Sequence, residues 1–187
     1  MIYTLFINME EDKLFYYSKS ANKQAGKGVN EFVSNYNDYD ELNKIKDWRK
    51  MLSNFYVAEF TYNGKTYYTA EHAFQAKKIE LIDANKANFF CIESGNIIGT
   101  AKDGNIARKN RKLVILDDEN IKKWNEIKHN IMKEILMCKF TQNNELSNVL
   151  LLTNKAMLLH GAKGIPISRQ YDLEEVRNYL QSYKKTT

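Results

Sequence analysis

Between residues 60 and 81 the side-chain period of this chain changes once, from two to helical, and that change dictates the local fold. Phe60 and Tyr62 alternate with polar neighbours, and Asn63-Gly64 supplies the positive backbone dihedrals of a two-residue turn. Thr66 and Tyr68 resume the alternation on a return strand. Thr69 then stands where a helix N-cap is wanted. Beyond it Ala70, Ala73, Phe74, Lys77 and Leu81 share one helical face, and Glu71, Gln75 and Lys78 share the next. The run therefore predicts a hairpin that delivers one carboxylate, Glu71, to the first turn of a helix, with an amide and an ammonium along the same strip. A Glu in the first turn also complements the helix dipole in proteins with no catalysis at all. Spacing alone leaves a structural and a chemical reading of Glu71 side by side.

Elsewhere the pattern is mostly helical. A helix is expected around Ala84–Glu93, ended by Ser94-Gly95-Asn96, and a long one from Asp117 or Asp118, with Ile121, Trp124, Ile127, Ile131, Ile135 and Cys138 recurring at helical spacing. A shorter helix is expected from Glu145 to about Leu152. A last one begins at Asp172, where Asp172 and Glu175 resemble a capping box and Leu173, Val176, Leu180 and Tyr183 form the stripe. The N-terminal Met-Ile-Tyr-Thr-Leu-Phe-Ile-Asn reads as a strand, being too short for a signal peptide or a membrane span. The polar stretch Ser34–Asn43 reads as a surface loop. The fold class that follows is mainly α with a few short β-strands (α+β), in a single domain spanning residues 1–187.

Cys91 and Cys138 fall in predicted helices, too few and too scattered for a disulfide framework, and read as reduced core residues of a cytoplasmic protein. No membrane contact is expected. A formal net charge of +5 and a pI near 9.0 favour polyanions such as nucleotides or nucleic acid. His72, His129 and His160 have no metal-ligand spacing among themselves or with the cysteines, so neither a metal nor any other cofactor is expected.

Three further features each carry two readings. Gly26-Lys27-Gly28 is not a P-loop, since that motif needs glycine where Ala21 stands and Ser or Thr where Gly28 stands. Its backbone N–H groups, with Lys19 and Lys27 nearby, are either a phosphate nest or a solvated loop. Lys102, Arg108 and Arg111 are either a phosphate-facing cluster or a solvated basic face. Trp124 fits the apolar stripe of its helix and reads first as core. No Ser-His-Asp order, Gly-x-Ser-x-Gly elbow or Cys-His pairing is present, which leaves carboxylate acid/base chemistry as the main enzymatic possibility.

Ser53-Asn54-Phe55, the Asn63-Gly64-Lys65 turn and Thr69-Ala70-Glu71-His72-Ala73-Phe74-Gln75-Ala76-Lys77-Lys78 resemble the signature of the NADAR family, also called YbiA-like. The resemblance covers about residues 13–180. It includes Tyr17-Ser18-Lys19-Ser20-Ala21 with Gly26-Lys27-Gly28, Trp48-Arg49-Lys50, Trp124, Lys139-Phe140-Thr141-Gln142-Asn143 and Leu150-Leu151-Leu152-Thr153. One stretch departs from it. Where many bacterial members carry W-G-x-G and then G-x-N-x-L-G, this chain has His160-Gly161-Ala162-Lys163-Gly164-Ile165-Pro166, so the contacts of that segment do not carry over.

The resemblance implies a compact YbiA-like fold and hydrolysis of an N-glycosidic bond between ribose and nitrogen. Such a bond breaks through an oxocarbenium-like transition state, which a buried carboxylate stabilises while it activates water. Glu71 is the residue implied. The resemblance points first to an ADP-ribosyl glycohydrolase that removes ADP-ribose from guanine bases of nucleic acid or a nucleotide, paired in function with an ADP-ribosyltransferase toxin. An N-glycosidase of phosphorylated riboflavin intermediates and a non-catalytic ADP-ribose reader are the alternatives. In this reading Lys19, Ser20, Lys27 and Gly28 hold phosphate and Asn54, Phe55 and Gln75 frame ribose or base, while Lys78, Lys102 and Trp124 complete the substrate contacts. Oligomeric state stays open.

Overall fold

The structure, a computed structural model, describes residues 11–162 and 164–186. The strand expected over the first eight residues lies outside the described residues. The described chain is α+β, as expected. Five strands run Lys13–Tyr16 (β1), Phe60–Tyr62 (β2), Lys65–Tyr67 (β3), Met157–Ala162 (β4) and Ile165–Arg169 (β5). Four short helices and two longer ones lie between them: Asp40–Asn43 (α1), Trp48–Met51 (α2), Ala70–Glu80 (α3), Ala84–Asn88 (α4), Ile97–Thr100 (α5) and Gly104–Lys109 (α6). The helical half closes with Asp118–Gln142 (α7), Asn144–Leu152 (α8) and Tyr171–Thr186 (α9). Among the described residues no helix is long and apolar enough to cross a membrane.

Two small sheets serve different purposes. β1 and β4 pair in parallel, Lys13 opposite Met157 through Tyr16 opposite His160, and β5 returns antiparallel to β4 with an irregularity between His160 and Ala162. The β2–β3 hairpin turns at Asn63 (φ 50°) and Gly64 (φ 74°), the positive dihedrals its sequence calls for. Its return strand ends at Tyr67, and it is Tyr67, opposite Phe60, that is buried there; Tyr68 lies outside the strand. Thr69 caps α3 by accepting from the His72 N–H. Ala70, Ala73, Ala76 and Ile79 bury the apolar face of α3, which packs against α4, α6 and α7.

Five local expectations are corrected in the structure. Ser34–Asn43 is not a loop: Asn35 caps a single turn that leads into α1, and Tyr39 and Leu42 are core residues. The helix expected to Glu93 stops at Asn88, because Glu93 accepts the Thr66 N–H (2.8 Å) and is drawn off the helical path toward β3. Cys91 is buried beyond that helix, and Cys138 lies in α7; both are free thiols. α9 starts at Tyr171 and has no capping box: Glu175 pairs with Lys133 (3.1 Å) instead. Leu173, Val176 and Leu180 are buried as expected, but Tyr183 is 61% exposed.

Candidate active site

Glu71 is the starting point because its position is fixed before its chemistry is considered. Thr69 sets where α3 begins, and the Glu71 backbone N–H donates to the Asn54 carbonyl (3.1 Å), so the first turn of α3 is tied to the Ser53–Phe55 turn. The side chain is only 8% exposed. Among the described residues one side-chain donor reaches it, Gln75 Nε2 on Oε1 (2.9 Å), one helical turn on. The buried Gln75 Oε1 has no hydrogen-bond partner among the described residues, so the bond that Nε2 donates to Glu71 is what orients this amide. Burial pushes the Glu71 pKa up from its ordinary value, against the opposing pull of the Gln75 hydrogen bond and of the Arg108 and Arg111 charges.

His72, next in sequence, points elsewhere. It is fully buried between Thr69 Oγ1 (2.7 Å on Nδ1) and the Ile98 carbonyl (3.0 Å on Nε2), and burial lowers its pKa. The partners assign the neutral tautomer with the proton on Nε2, which ties α3 to α5.

Glu71 opens on a cavity of about 300 Å³. One wall is Asn54, Phe55 and the Tyr16-Tyr17-Ser18 end of β1; another is Asn105 and Arg108 of α6; the third is His160, Ala162 and Ile165 from β4 and β5. A Cβ at Gly104 would stand 2.8 Å from the Phe55 ring, so only glycine lets α6 approach closely enough to present Arg108 here. Arg108 makes no ion pair or hydrogen bond among the described residues, an unengaged guanidinium at the rim of a cavity with a single carboxylate in its lining. Burial lowers the pKa of His160, whose ring lies 5.4 Å from that of Tyr16.

A second cavity, of about 490 Å³ and more apolar, shares Tyr17, Ala162 and Ile165 with the first. Ser20 and Gly28 line it, together with Phe15, Val29 and Ile167. The glycine loop beside it does not offer its N–H groups to a phosphate. Gly26 and Gly28 both donate to Glu31 Oε2 (3.0 and 2.8 Å), and Arg49 grips the same carboxylate through Nε (2.8 Å) and Nη2 (2.7 Å). A Cβ at Gly28 would lie 2.6 Å from that carboxyl carbon, so the second glycine is there to admit Glu31. The nest is filled from within.

The structure thus brings Glu71, Gln75, Asn54 and Phe55 together, with Ser20 and Gly28 in the adjoining cavity. Lys19, Lys27 and Lys102 line neither. Lys19 is exposed, Lys27 Nζ sits over the Tyr36 ring (4.4 Å), and Lys102 Nζ over that of Tyr68 (5.1 Å). Lys78 and Trp124 line a different cleft, where Trp124 also packs on Phe74 with centroids 4.9 Å apart.

Sequence reading did not assign Arg108, Tyr17, His160 or Ile165 to the cavity. Arg108 stood in a basic run that reads first as a solvated face, and residues 160–165 lie where the chain departs from the family pattern. Lys139 was also missed. Fully buried on α7, it donates to the carbonyls of Ser53 (3.2 Å) and Tyr56 (2.9 Å), the two that bracket Asn54-Phe55. Burial without a carboxylate partner brings its pKa down to about 7.

A sequence profile described as the NADAR domain matches residues 41–164. The fold is similar to that of the E. coli protein YbiA, solved by NMR, with a TM-score of 0.56 and 20% identity over 96% of this chain and 90% of that one. At that identity the likeness concerns the fold alone. No curated protein matches the chain.

Proposed function

The chain belongs to the NADAR family, a glycosidase-type family, and from that premise we propose that it is an N-glycosidase that removes ADP-ribose from guanine bases of nucleic acid. The observation that carries the reading is Glu71: a buried carboxylate with one hydrogen-bond donor, opening on a cavity whose rim holds the unengaged guanidinium of Arg108.

In this reading the ribose sits between Glu71 and the Asn54-Phe55 turn. As the bond to nitrogen stretches, positive charge grows at the anomeric carbon, and a carboxylate in a low-dielectric site stabilises it far more than water would. The elevated pKa of Glu71 makes it a better base toward the attacking water, and Gln75 holds the carboxylate in place while this happens. Ordinary glycoside hydrolysis uses two carboxylates. Here one lines the cavity among the described residues, which suits a leaving group such as a purine, whose ring system takes up the departing electron pair.

Arg108 meets a phosphate at the rim, where its planar fork matches phosphate oxygens. Lys19, Lys27 and Lys102 are left outside this role, since none of them lines either cavity. The adjoining 490 Å³ cavity supports a substrate longer than one ribosyl-base unit, since the Glu71 cavity of about 300 Å³ is at the small end for ligand sites. That favours ADP-ribose over a phosphorylated riboflavin intermediate.

The test is incubation with guanine-ADP-ribosylated single-stranded DNA, phosphorylated riboflavin intermediates and protein-linked ADP-ribose in parallel, with products identified by mass spectrometry. Release of free ADP-ribose from the DNA is expected. Cleavage of the riboflavin intermediates alone, or stoichiometric binding of modified DNA that stays intact for hours, overturns the proposal.

A further inference from the structure

Outside the Glu71 cavity, one cleft combines charge and apolar surface in a way the fold does not use. It measures about 720 Å³ and is lined by Lys78 of α3, Arg111 and Lys112 beyond α6, Ile115 in the following loop, and Ile121 and Trp124 of α7. No carboxylate is among its lining residues. Lys78, Arg111 and Lys112 enter no ion pair or hydrogen bond among the described residues, whereas Lys77, next to Lys78, is paired with Glu80. Ile115 is 90% exposed beside them. The core gains little from holding an isoleucine in that position or from gathering three unneutralised cations around it.

The cleft is continuous in charge with the Glu71 site. Lys78 stands seven residues after Glu71 on the same helix, about 10 Å along its axis. Arg111 lies close enough to favour the ionised form of Glu71. The two cavities share no lining residue, but the separation of about 10 Å along α3 is within reach of one strand.

We propose that this cleft is a second binding site, one that takes the single strand of nucleic acid flanking the modified base. Lys78, Arg111 and Lys112 neutralise successive phosphates while an unstacked base packs on the exposed Ile115 and Ile121, with only an edge of the buried Trp124 beneath it. Sequence-tolerant binding of single strands combines a positively charged groove with a surface on which bases pack. An acidic peptide satisfies the cations but leaves that surface unused. The proposal rests on the glycosidase reading for its biological setting, yet strand binding is measured without any cleavage.

The first arm follows binding of an unmodified DNA strand of about twelve nucleotides, a length within the usual range of single-strand sites, by fluorescence anisotropy across a salt series. For single strands log K falls with log salt by about 0.7 per phosphate neutralised, so Lys78→Ala/Lys112→Ala flattens the slope by about 1.4. Ile115→Ala weakens binding at every salt concentration and leaves the slope alone. A wild-type slope in the double variant overturns the proposal, as does displacement of the strand by polyglutamate at the same charge concentration as by DNA.

The second arm compares KM for an ADP-ribosylated oligonucleotide and for ADP-ribosylated guanosine. Lys112→Ala raises the first about fivefold and leaves the second unchanged; an equal rise in both reassigns Lys112 to the Glu71 cavity and overturns the separate site. If neither compound is cleaved while the slope still changes, the strand site stands and the glycosidase reading fails.

Discussion

Glu31 and Glu71 are both glutamates whose carboxylates are taken out of water, and the chain treats them in opposite ways. Glu31 receives five donors: the N–H groups of Phe15, Gly26 and Gly28, and two nitrogens of Arg49. Its side chain is fully buried. Glu71 receives one donor, from Gln75, and faces open space and a free guanidinium. The first arrangement spends every lone pair on holding the 23–31 loop to β1 and α2. The second leaves lone pairs for a substrate, at a cost in stability that only a functional site retains. Counting donors distinguishes a carboxylate that builds from one that reacts.

The largest effect expected from this contrast falls on rate. Glu71→Gln keeps the shape and the hydrogen bond to residue 75 but removes the charge and the base, so turnover drops by about 10²–10⁴. Its stability moves the other way. A carboxyl whose folded pKa is raised destabilises the fold at pH above that pKa, so the variant melts at the same temperature as wild type or slightly higher near neutral pH. A variant within threefold of wild-type turnover removes Glu71 from the chemistry.

Glu31→Ala does the reverse. It strands the Arg49 guanidinium and three N–H groups, a loss of about 3–5 kcal/mol. In a chain of this size that lowers Tm by roughly 10 °C, measured by calorimetry or circular dichroism. A change under about 2 °C breaks the comparison, because it means that the donors around Glu31 are satisfied by water.

Lys139 sharpens the comparison from behind the site. Lys139→Met frees the carbonyls that bracket Asn54-Phe55 while relieving the burial of an ammonium with no carboxylate partner, so the two stability effects largely cancel. What remains is looseness in the turn that anchors the Glu71 N–H, and a fall in kcat of about tenfold, or roughly 1.4 kcal/mol. The pH dependence gives its signature. From about 7 up to 10.5 the unfolded chain holds the lysine proton more firmly than the folded one, so wild type gains stability relative to Lys139→Met as pH rises through that window. Melting curves of both proteins taken at each pH show it, and a stability difference that stays constant with pH means that Lys139 is solvated.

The smallest effect concerns Gln75. Gln75→Met deletes the one donor to Glu71, leaving burial less opposed, so the acid limb of the pH–rate profile moves to higher pH. In wild type burial moves that limb up from the ordinary glutamate value, and activity is expected to be lost as pH falls through it because Glu71 becomes protonated. An unmoved limb in the variant assigns that ionisation to another group.

What the sequence disclosed follows the same division. The hairpin, the Thr69 cap and the placing of Glu71 and Gln75 on one strip depend on signals within a few residues, and all were legible. Glu31 and Arg49 are 18 residues apart and Lys139 and Ser53 are 86 apart, so no local pattern announces either contact. The glycine loop invited a phosphate reading because glycine and lysine spacing does not reveal which carboxylate will fill the nest. His160, Ala162 and Ile165 were unreadable for another reason: their stretch departs from the family pattern, and it took the pairing of β1 with β4 to bring them into the cavity that holds Glu71.

The central claim is that water, activated by Glu71, attacks the anomeric carbon of a ribose bound to a base nitrogen. Cleavage of guanine-ADP-ribosylated DNA in heavy-oxygen water, with mass spectrometry of the released sugar, tests it most directly. The account predicts ADP-ribose carrying one solvent oxygen beside an unlabelled, restored guanine. Released sugar without the label, or DNA left intact by wild-type protein, contradicts it.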